Sequence, residues 1–263
     1  MKISVIGGGN MGGAIAFGAI SQGIVTANNV TISHLSTKMH PLFGELTEQI
    51  SLENDNLKAI AEADLIVLAV KPWLAEEVLQ QISPLLQREN QSIISVIAGL
   101  SFTQIASILE CDALGELPLY RVIPNTAISI GEGVSIISSY RSTEELDEKV
   151  NSLFAALGST FNVEESMMAP LTSLSSCGIA FALRYLDASA RGGEQVGIDP
   201  QMSLEVTLKT MLGAVAMLQR NASQPQVEID KVTTKGGITL KGLEAMEREG
   251  FSKAVACAIK ESR

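Results

Sequence analysis

The sequence predicts an α/β fold, a doubly wound parallel sheet followed by an all-α C-terminal region. Three observations carry this reading. Short apolar runs suited to strands recur through the first part of the chain, with helix-period stretches between them, and such alternation builds a parallel sheet through crossover helices. Two of those runs, "ADLIVLAV" (63–70) and "QSIISVIAG" (91–99), are apolar almost throughout, as strands covered on both faces are. After about Val163 the pattern changes to helix period, with no convincing strand. The expected domains are therefore 1–163 and 164–263.

Composition bounds the function. The chain has 263 residues, 46% of them hydrophobic, so a sizeable core is available and global disorder is excluded. A formal net charge of −10 argues against a nucleic-acid partner. Cys111, Cys177 and Cys257 are odd in number and widely spaced, with no CxxC, which excludes a disulfide framework or zinc site and fits a reducing compartment. The N-terminal apolar run is broken by three glycines and Asn10, unlike a signal peptide, and no stretch reads as long and apolar enough to span a bilayer. A cytoplasmic protein without membrane or metal is expected.

The first strand, "KISVI" (2–6), leads into Gly7-x-Gly9-x-x-Gly12, with a helix expected from Met11 to Ser21. Strand, glycine loop and helix in that order form the Rossmann-type dinucleotide fingerprint. Gly7 permits the tight turn, Gly9 lets backbone approach a pyrophosphate, and Gly12 permits close helix–strand packing. Asn10 and Met11 open the helix whose N-terminal amides face the phosphates.

"NVTISHLS" (29–36) is the second strand. A NAD site usually has an acid about 20 residues after the loop to hold the ribose diol. Here no Asp or Glu occurs before Glu45, and the position reads Ser36-Thr37-Lys38. Hydroxyls and a lysine suit a 2′-phosphate, so NADPH is the expected cofactor and NADH the weaker alternative.

"AVKP" (Ala69, Val70, Lys71, Pro72) and "VIAGLS", with Ala98 and Gly99, end further strands at the carboxyl edge where open sheets bind ligands. Asn56 joins this expected cofactor set. Lys71 positions cofactor or packs its stem rather than acting as an acid. "LYRVIP" (119–124) and "GVSIIS" (133–138) complete the strands, with helices at 73–88 and 101–109 between the earlier ones. His34 and His40 sit in no triad or ligand spacing and are read as structural or solvated.

The helical part reads as 167–196, 200–221, 224–231, 239–249 and 251–262. Segment 200–221 is apolar on more than one face, which suggests a subunit interface. Between two of these helices lies "VTTKGGITLKGL" (232–243). Consecutive glycines let backbone amides turn inward, the following helix adds its N-terminal donors, and Lys231 and Lys235 add positive potential. The joint reads as an anion cradle beside a hydroxyl.

Taken together, "IGGGNMGGA", "AVKP", "SVIAGLS", "RVIPNTAISIGEGVS", "LTSLSSCGIAFALRYLDA" and "VTTKGGITLKGL" resemble pyrroline-5-carboxylate reductases, in order and spacing over essentially the whole chain. The resemblance implies reduction of the ring imine of 1-pyrroline-5-carboxylate to L-proline by NAD(P)H. It also implies a Rossmann domain and an all-α C-terminal dimerisation domain, giving a homodimer or larger homo-oligomer. Carried over by position, Gly236, Gly237, Ile238 and Thr239 line the carboxylate pocket, with the Thr239 hydroxyl at the ring nitrogen as the catalytic group. Glu165 and Ser175 match residues of the same pocket, and Lys231 stands where some members have asparagine. The chain departs from the family pattern at Lys235, usually proline, at Ile238, usually threonine, and at Ser176-Cys177-Gly178-Ile179, usually Gly-Ser-Gly-Pro. Two other readings stay open at this point. One is a reductase of another small imine or keto acid on the same fold; the other is a dinucleotide-binding regulatory protein without turnover.

Overall fold

The computed structural model describes residues 1–34, 41–109 and 117–262. Its backbone divides into two compact units, Met1–Ser176 and Cys177–Arg263. The division falls later than 163/164 because the turns after the sheet pack back on it: Met168 is buried with Ile123 and Ile136, with Val163 and Leu171 against them.

The first unit begins with β1 (Ile3–Ile6), α1 (Asn10–Ser21), β2 (Val30–Ser33), β3 (Ser51–Glu53), α2 (Asn56–Ile60) and β4 (Leu65–Leu68). It continues with α3 (Ala75–Ile82), β5 (Ser92–Ser95), α4 (Phe102–Ile108), β6 (Leu119–Pro124), β7 (Gly133–Tyr140), α5 (Glu144–Ala155), β8 (Gly158–Asn162) and α6 (Met168–Thr172). Among the described residues these strands form one eight-stranded sheet in the order β3-β2-β1-β4-β5-β6-β7-β8.

Every position of β1, β4 and β5 is buried, as their largely apolar runs, interrupted only by serines, allow. Successive side chains point to opposite faces. Val5, Val67, Ile94 and Val122 meet Ile15 and Ala19 of α1 and Leu153 and Phe154 of α5 on one side. Ile6, Ile66, Leu68 and Ile93 meet Leu79 and Ile82 of α3 and Ile105 of α4 on the other. This two-sided cover is the doubly wound plan.

Several expectations are corrected. The sheet is not parallel throughout, because β7 runs antiparallel to β6. The connection 125–132 is too short for a parallel crossover, which takes about a dozen residues or more. Strands β3 and β8 are edge strands, mostly exposed and without an apolar run, so their sequence carries no strand signal. The expected helix 73–88 is α3 flanked by tight 3₁₀ turns at Pro72–Leu74 and Ser83–Leu85, where the prolines limit helix continuation.

The second unit holds α7 (Gly178–Gln195), α8 (Pro200–Asn221), α9 (Pro225–Val232), α10 (Ile238–Arg248) and α11 (Phe251–Glu261). Helix α8 starts where Asp199 accepts from the Met202 amide at 3.1 Å with Pro200 at the first position, and stops at left-handed Ala222. Helices α7 and α8 pack closely: a Cβ at Gly193 would lie 2.0 Å from Ser203 Oγ, which itself donates to Ala190 O at 2.7 Å. Among the described residues of this unit only Ala190 and Ser203 are buried. Leu183, Met202, Val206 and Leu212 are each about 60% exposed. A helical unit this apolar has no core of its own to hide these faces, and such surfaces mark association.

The expected single helix 167–196 is interrupted by a π-helical turn, Ser173–Cys177. There the hydroxyls of Thr172, Ser173 and Ser175 donate to carbonyls four residues back. One further expectation is overturned. The helical run Glu165–Gln195, 31 residues with mean hydropathy 1.4 over an 18-residue stretch, is long and apolar enough by composition to cross a membrane. Its apolarity went unread because hydroxyl residues are interleaved through it.

Candidate functional site

Strand order reverses on either side of β1, which pairs with β2 and β4. Open α/β sheets bind ligands at the carboxyl ends of such strands. A cleft of about 880 Å3 lies there, lined by Gly7, Gly9, Asn10, Met11, Ser33, His34, Asn56, Ala69, Val70, Lys71, Pro72, Val96, Ile97 and Ala98, among others. The structure thus brings most of the sequence-predicted cofactor residues to one cavity. Gly12 and Gly99 do not line it, and Ser36, Thr37 and Lys38 lie outside the described residues.

The three glycines of the fingerprint differ in physical role. Gly7 has φ +104°, and a Cβ there would sit 2.6 Å from Ala69 O. At Gly12 a Cβ would meet Gly7 O at 2.1 Å and Ala69 Cβ at 2.9 Å, so α1 approaches β1 and β4 only without one. Gly9 differs from both: nothing lies within 4 Å of its Cβ position. Its bare face borders the cleft and caps α1 with no side-chain acceptor, leaving the first amides of that helix for an anion. This is the cradle a dinucleotide pyrophosphate needs, so the residues present fit such a group.

One part of the cleft is built by polar residues outside the expected set. Ser33 Oγ donates to Asn56 Oδ1 at 2.6 Å, and Asn56 Nδ2 donates to Gln81 Oε1 at 2.8 Å. This chain fixes Asn56 at the cleft wall. Ser33 could have been found as the last residue of β2, at the carboxyl edge. Gln81, on a helix far along the chain, carries no such signal.

Glu165 and Ser175 belong to the first unit. Glu165 Oε1 accepts from the Phe102 amide at 2.7 Å and from Arg121 Nη1 at 2.8 Å. Ser175 Oγ donates to Leu171 O at 2.8 Å within the π turn.

The joint belongs to the second unit. Gly236 takes φ +74°, a left-handed turn that suits glycine. Gly237 is the N-cap of α10 and offers no side chain to the helix amides. Ile238 is 89% exposed, and Thr239 is exposed one residue into the helix. Exposed backbone donors, a dipole end and a hydroxyl therefore stand together. Lys231, expected to add positive potential, forms an ion pair within α9. Its Nζ lies 2.8 Å from Glu228 Oε1, and Glu228 also accepts from Ser223 and Asn221. Hydrogen bonds from Lys231 first, then Ser223 and Asn221, hold the Glu228 carboxyl down at about 2.

Comparison with known proteins adds to this geometry. Residues 165–263 match the family described as pyrroline-5-carboxylate reductase dimerisation, and residues 2–99 that described as NADP oxidoreductase coenzyme F420-dependent. The chain is 32% identical to pyrroline-5-carboxylate reductase of Glycine max over 267 residues, covering 99% of this chain and 94% of that one. It is also 32% identical to pyrroline-5-carboxylate reductase 1 of Dictyostelium discoideum over 98% of its own length, but spans only 48% of that longer relative. A crystal structure of Plasmodium falciparum pyrroline carboxylate reductase with NADP bound superposes with a TM-score of 0.89 at 27% identity, covering 100% of this chain and 95% of that one.

Proposed function

The chain belongs to the pyrroline-5-carboxylate reductase family, and on that premise we propose how its own residues reduce the ring imine of 1-pyrroline-5-carboxylate to L-proline with NADPH. The observation that carries the reading is the cleft at the carboxyl ends of β1 and β4, where Gly9 presents open backbone beside the amides of α1. Gly7, Gly9, Asn10 and Met11 would hold the diphosphate there, and Ala69–Pro72 with Val96–Ala98 would wall the cofactor's remaining length. NADPH supplies the hydride when bound. The α10 amides and the Gly236–Gly237 backbone receive the substrate carboxylate. The Thr239 hydroxyl donates to the ring nitrogen, where the C=N electron pair collects and a proton is taken up. Imine reduction needs orientation and charge placement more than a nucleophile, in keeping with a joint that carries threonine hydroxyls and no histidine.

Support for NADPH over NADH comes from the NADP in the Plasmodium structure and from the lack of any acid before Glu45. Support for a homodimer or larger homo-oligomer through the C-terminal helices comes from the dimerisation-family match and the exposed apolar faces of α7 and α8. The test is NADPH consumption by the purified protein with 1-pyrroline-5-carboxylate, beside a panel of other cyclic imines and keto acids, with L-proline identified as product. A higher kcat/KM for another member of the panel contradicts the substrate, and a higher kcat/KM with NADH contradicts the cofactor.

A further inference from the structure

We propose that Glu165 is a positioning residue for the cofactor cleft, holding its Val96–Ser101 wall through the first amide of α4, and not a group that touches the substrate. This rests on the reading of that cleft as the NADPH site.

The wall is a short loop fixed at both ends. At its near end the Val96 amide donates to Leu68 O at 3.0 Å, and the Ile97 amide contacts Ser95 Oγ at 3.4 Å. Val96, Ile97 and Ala98 then face the cleft. At its far end Ser101 caps α4 by accepting from the Gln104 amide at 3.2 Å, while the Gln104 side chain accepts from the Ser101 amide at 2.8 Å. That reciprocal cap leaves the Phe102 amide, the first of the helix, without an acceptor in the loop. Glu165 Oε1, 63 residues later in the chain, accepts it at 2.7 Å.

The same oxygen is held from the other side. Arg121 rises from the middle of β6, opposite Ser95 of β5, with its side chain only 10% exposed, and bonds Glu165 Oε1 at 2.8 Å. Its Nε is buried with no hydrogen-bond partner among the described residues. The guanidinium is thus short of acceptors, and moving the carboxylate toward a substrate would strand a buried charge. Glu165 is held between sheet and loop by the two bonds it makes, and each would break if it turned away.

The chain's only tryptophan provides a readout without turnover. Trp73 lies on the turn Pro72–Leu74, whose flanking residues line the cleft, and is 76% exposed. Its fluorescence on NADPH titration gives the dissociation constant of wild type, Glu165→Ala and Glu165→Gln in the absence of substrate. The KM for 1-pyrroline-5-carboxylate is measured at saturating NADPH, and the thermal midpoint is recorded for each protein. Glu165→Ala is expected to weaken NADPH roughly tenfold, the effect of one lost hydrogen bond to a charged group, with the substrate KM unchanged. Glu165→Gln keeps an oxygen for the Phe102 amide and is expected to recover most of that loss, and it serves alone if the alanine variant does not fold. Two results overturn the proposal: a lowered thermal midpoint with unchanged NADPH affinity in both variants, or a raised substrate KM with unchanged NADPH affinity. A wild type that binds no NADPH refutes the reading of the cleft, and the proposal with it, before any variant is compared.

Discussion

Gly9 and Gly12 stand three residues apart, one capping α1 and the other in its first turn, and obey different constraints. A Cβ on Gly12 would overlap Gly7 O, whereas one on Gly9 would meet only open space. Gly12→Ala is therefore expected to destabilise the protein by about 1–3 kcal/mol, as overpacked sites do, measured by denaturant unfolding. Gly9→Ala is expected to leave stability intact and to weaken NADPH at least tenfold, roughly the size of one displaced backbone–phosphate contact. Equal loss of stability in the two variants would contradict this division of roles. The loop was legible in the sequence because glycine spacing is set by backbone geometry. The Ser33–Asn56–Gln81 chain was not, since ordinary polar residues acquire that role only when the fold brings three distant segments together. The resemblance places Glu165 in the substrate pocket, while its two partners, Phe102 N–H and Arg121, emerge only with the tertiary structure.

Among the elements, α9 is stapled to the end of α8 by one carboxylate. Glu228 sits among Lys231, Ser223 and Asn221, its side chain 11% exposed, and its pKa is held down at about 2 chiefly by the Lys231 hydrogen bond. A carboxyl whose folded pKa lies below its unfolded value, near 4.3, adds stability that is fully present above the unfolded value. That stability is lost as pH falls toward the folded one. Glu228→Gln should accordingly lower the thermal midpoint at pH 6 to 7, with the difference from wild type shrinking below about pH 4. A difference independent of pH would show that the carboxylate charge does not matter there. Legibility followed the same physics across the elements. The buried strands β1, β4 and β5 and helix α8 announce themselves by nearly continuous apolarity or by a strong start signal at Asp199-Pro200. The edge strands β3 and β8 carry no such signal, because hydrogen bonding to one neighbour and exposure to water leave their composition free.

For the whole molecule, the second unit leaves large apolar side chains on α7 and α8 in water while burying only Ala190 and Ser203 among its described residues. Homo-oligomer formation through these faces is the expected remedy, and Leu212→Asp should disrupt it, since a charge placed in an apolar contact has no partner. Sedimentation in which the wild type is a stable monomer at micromolar concentration would contradict the assignment. The sequence made the α8 face visible through its apolar excess, and most of the cleft through the glycine loop and the strand ends, whereas the Ser33 and Gln81 bracing needed the fold. In the proposed reaction the glycine joint receives the substrate carboxylate and Thr239 meets the ring nitrogen. Thr239→Val keeps the shape and removes the hydroxyl. Its kcat for 1-pyrroline-5-carboxylate, measured with the NADPH dissociation constant of the same protein, tests this most directly. The predicted result is a kcat lowered roughly tenfold or more, with NADPH binding unchanged. Wild-type turnover in the valine variant would contradict the role given to Thr239, as would loss of NADPH binding in a variant that remains folded.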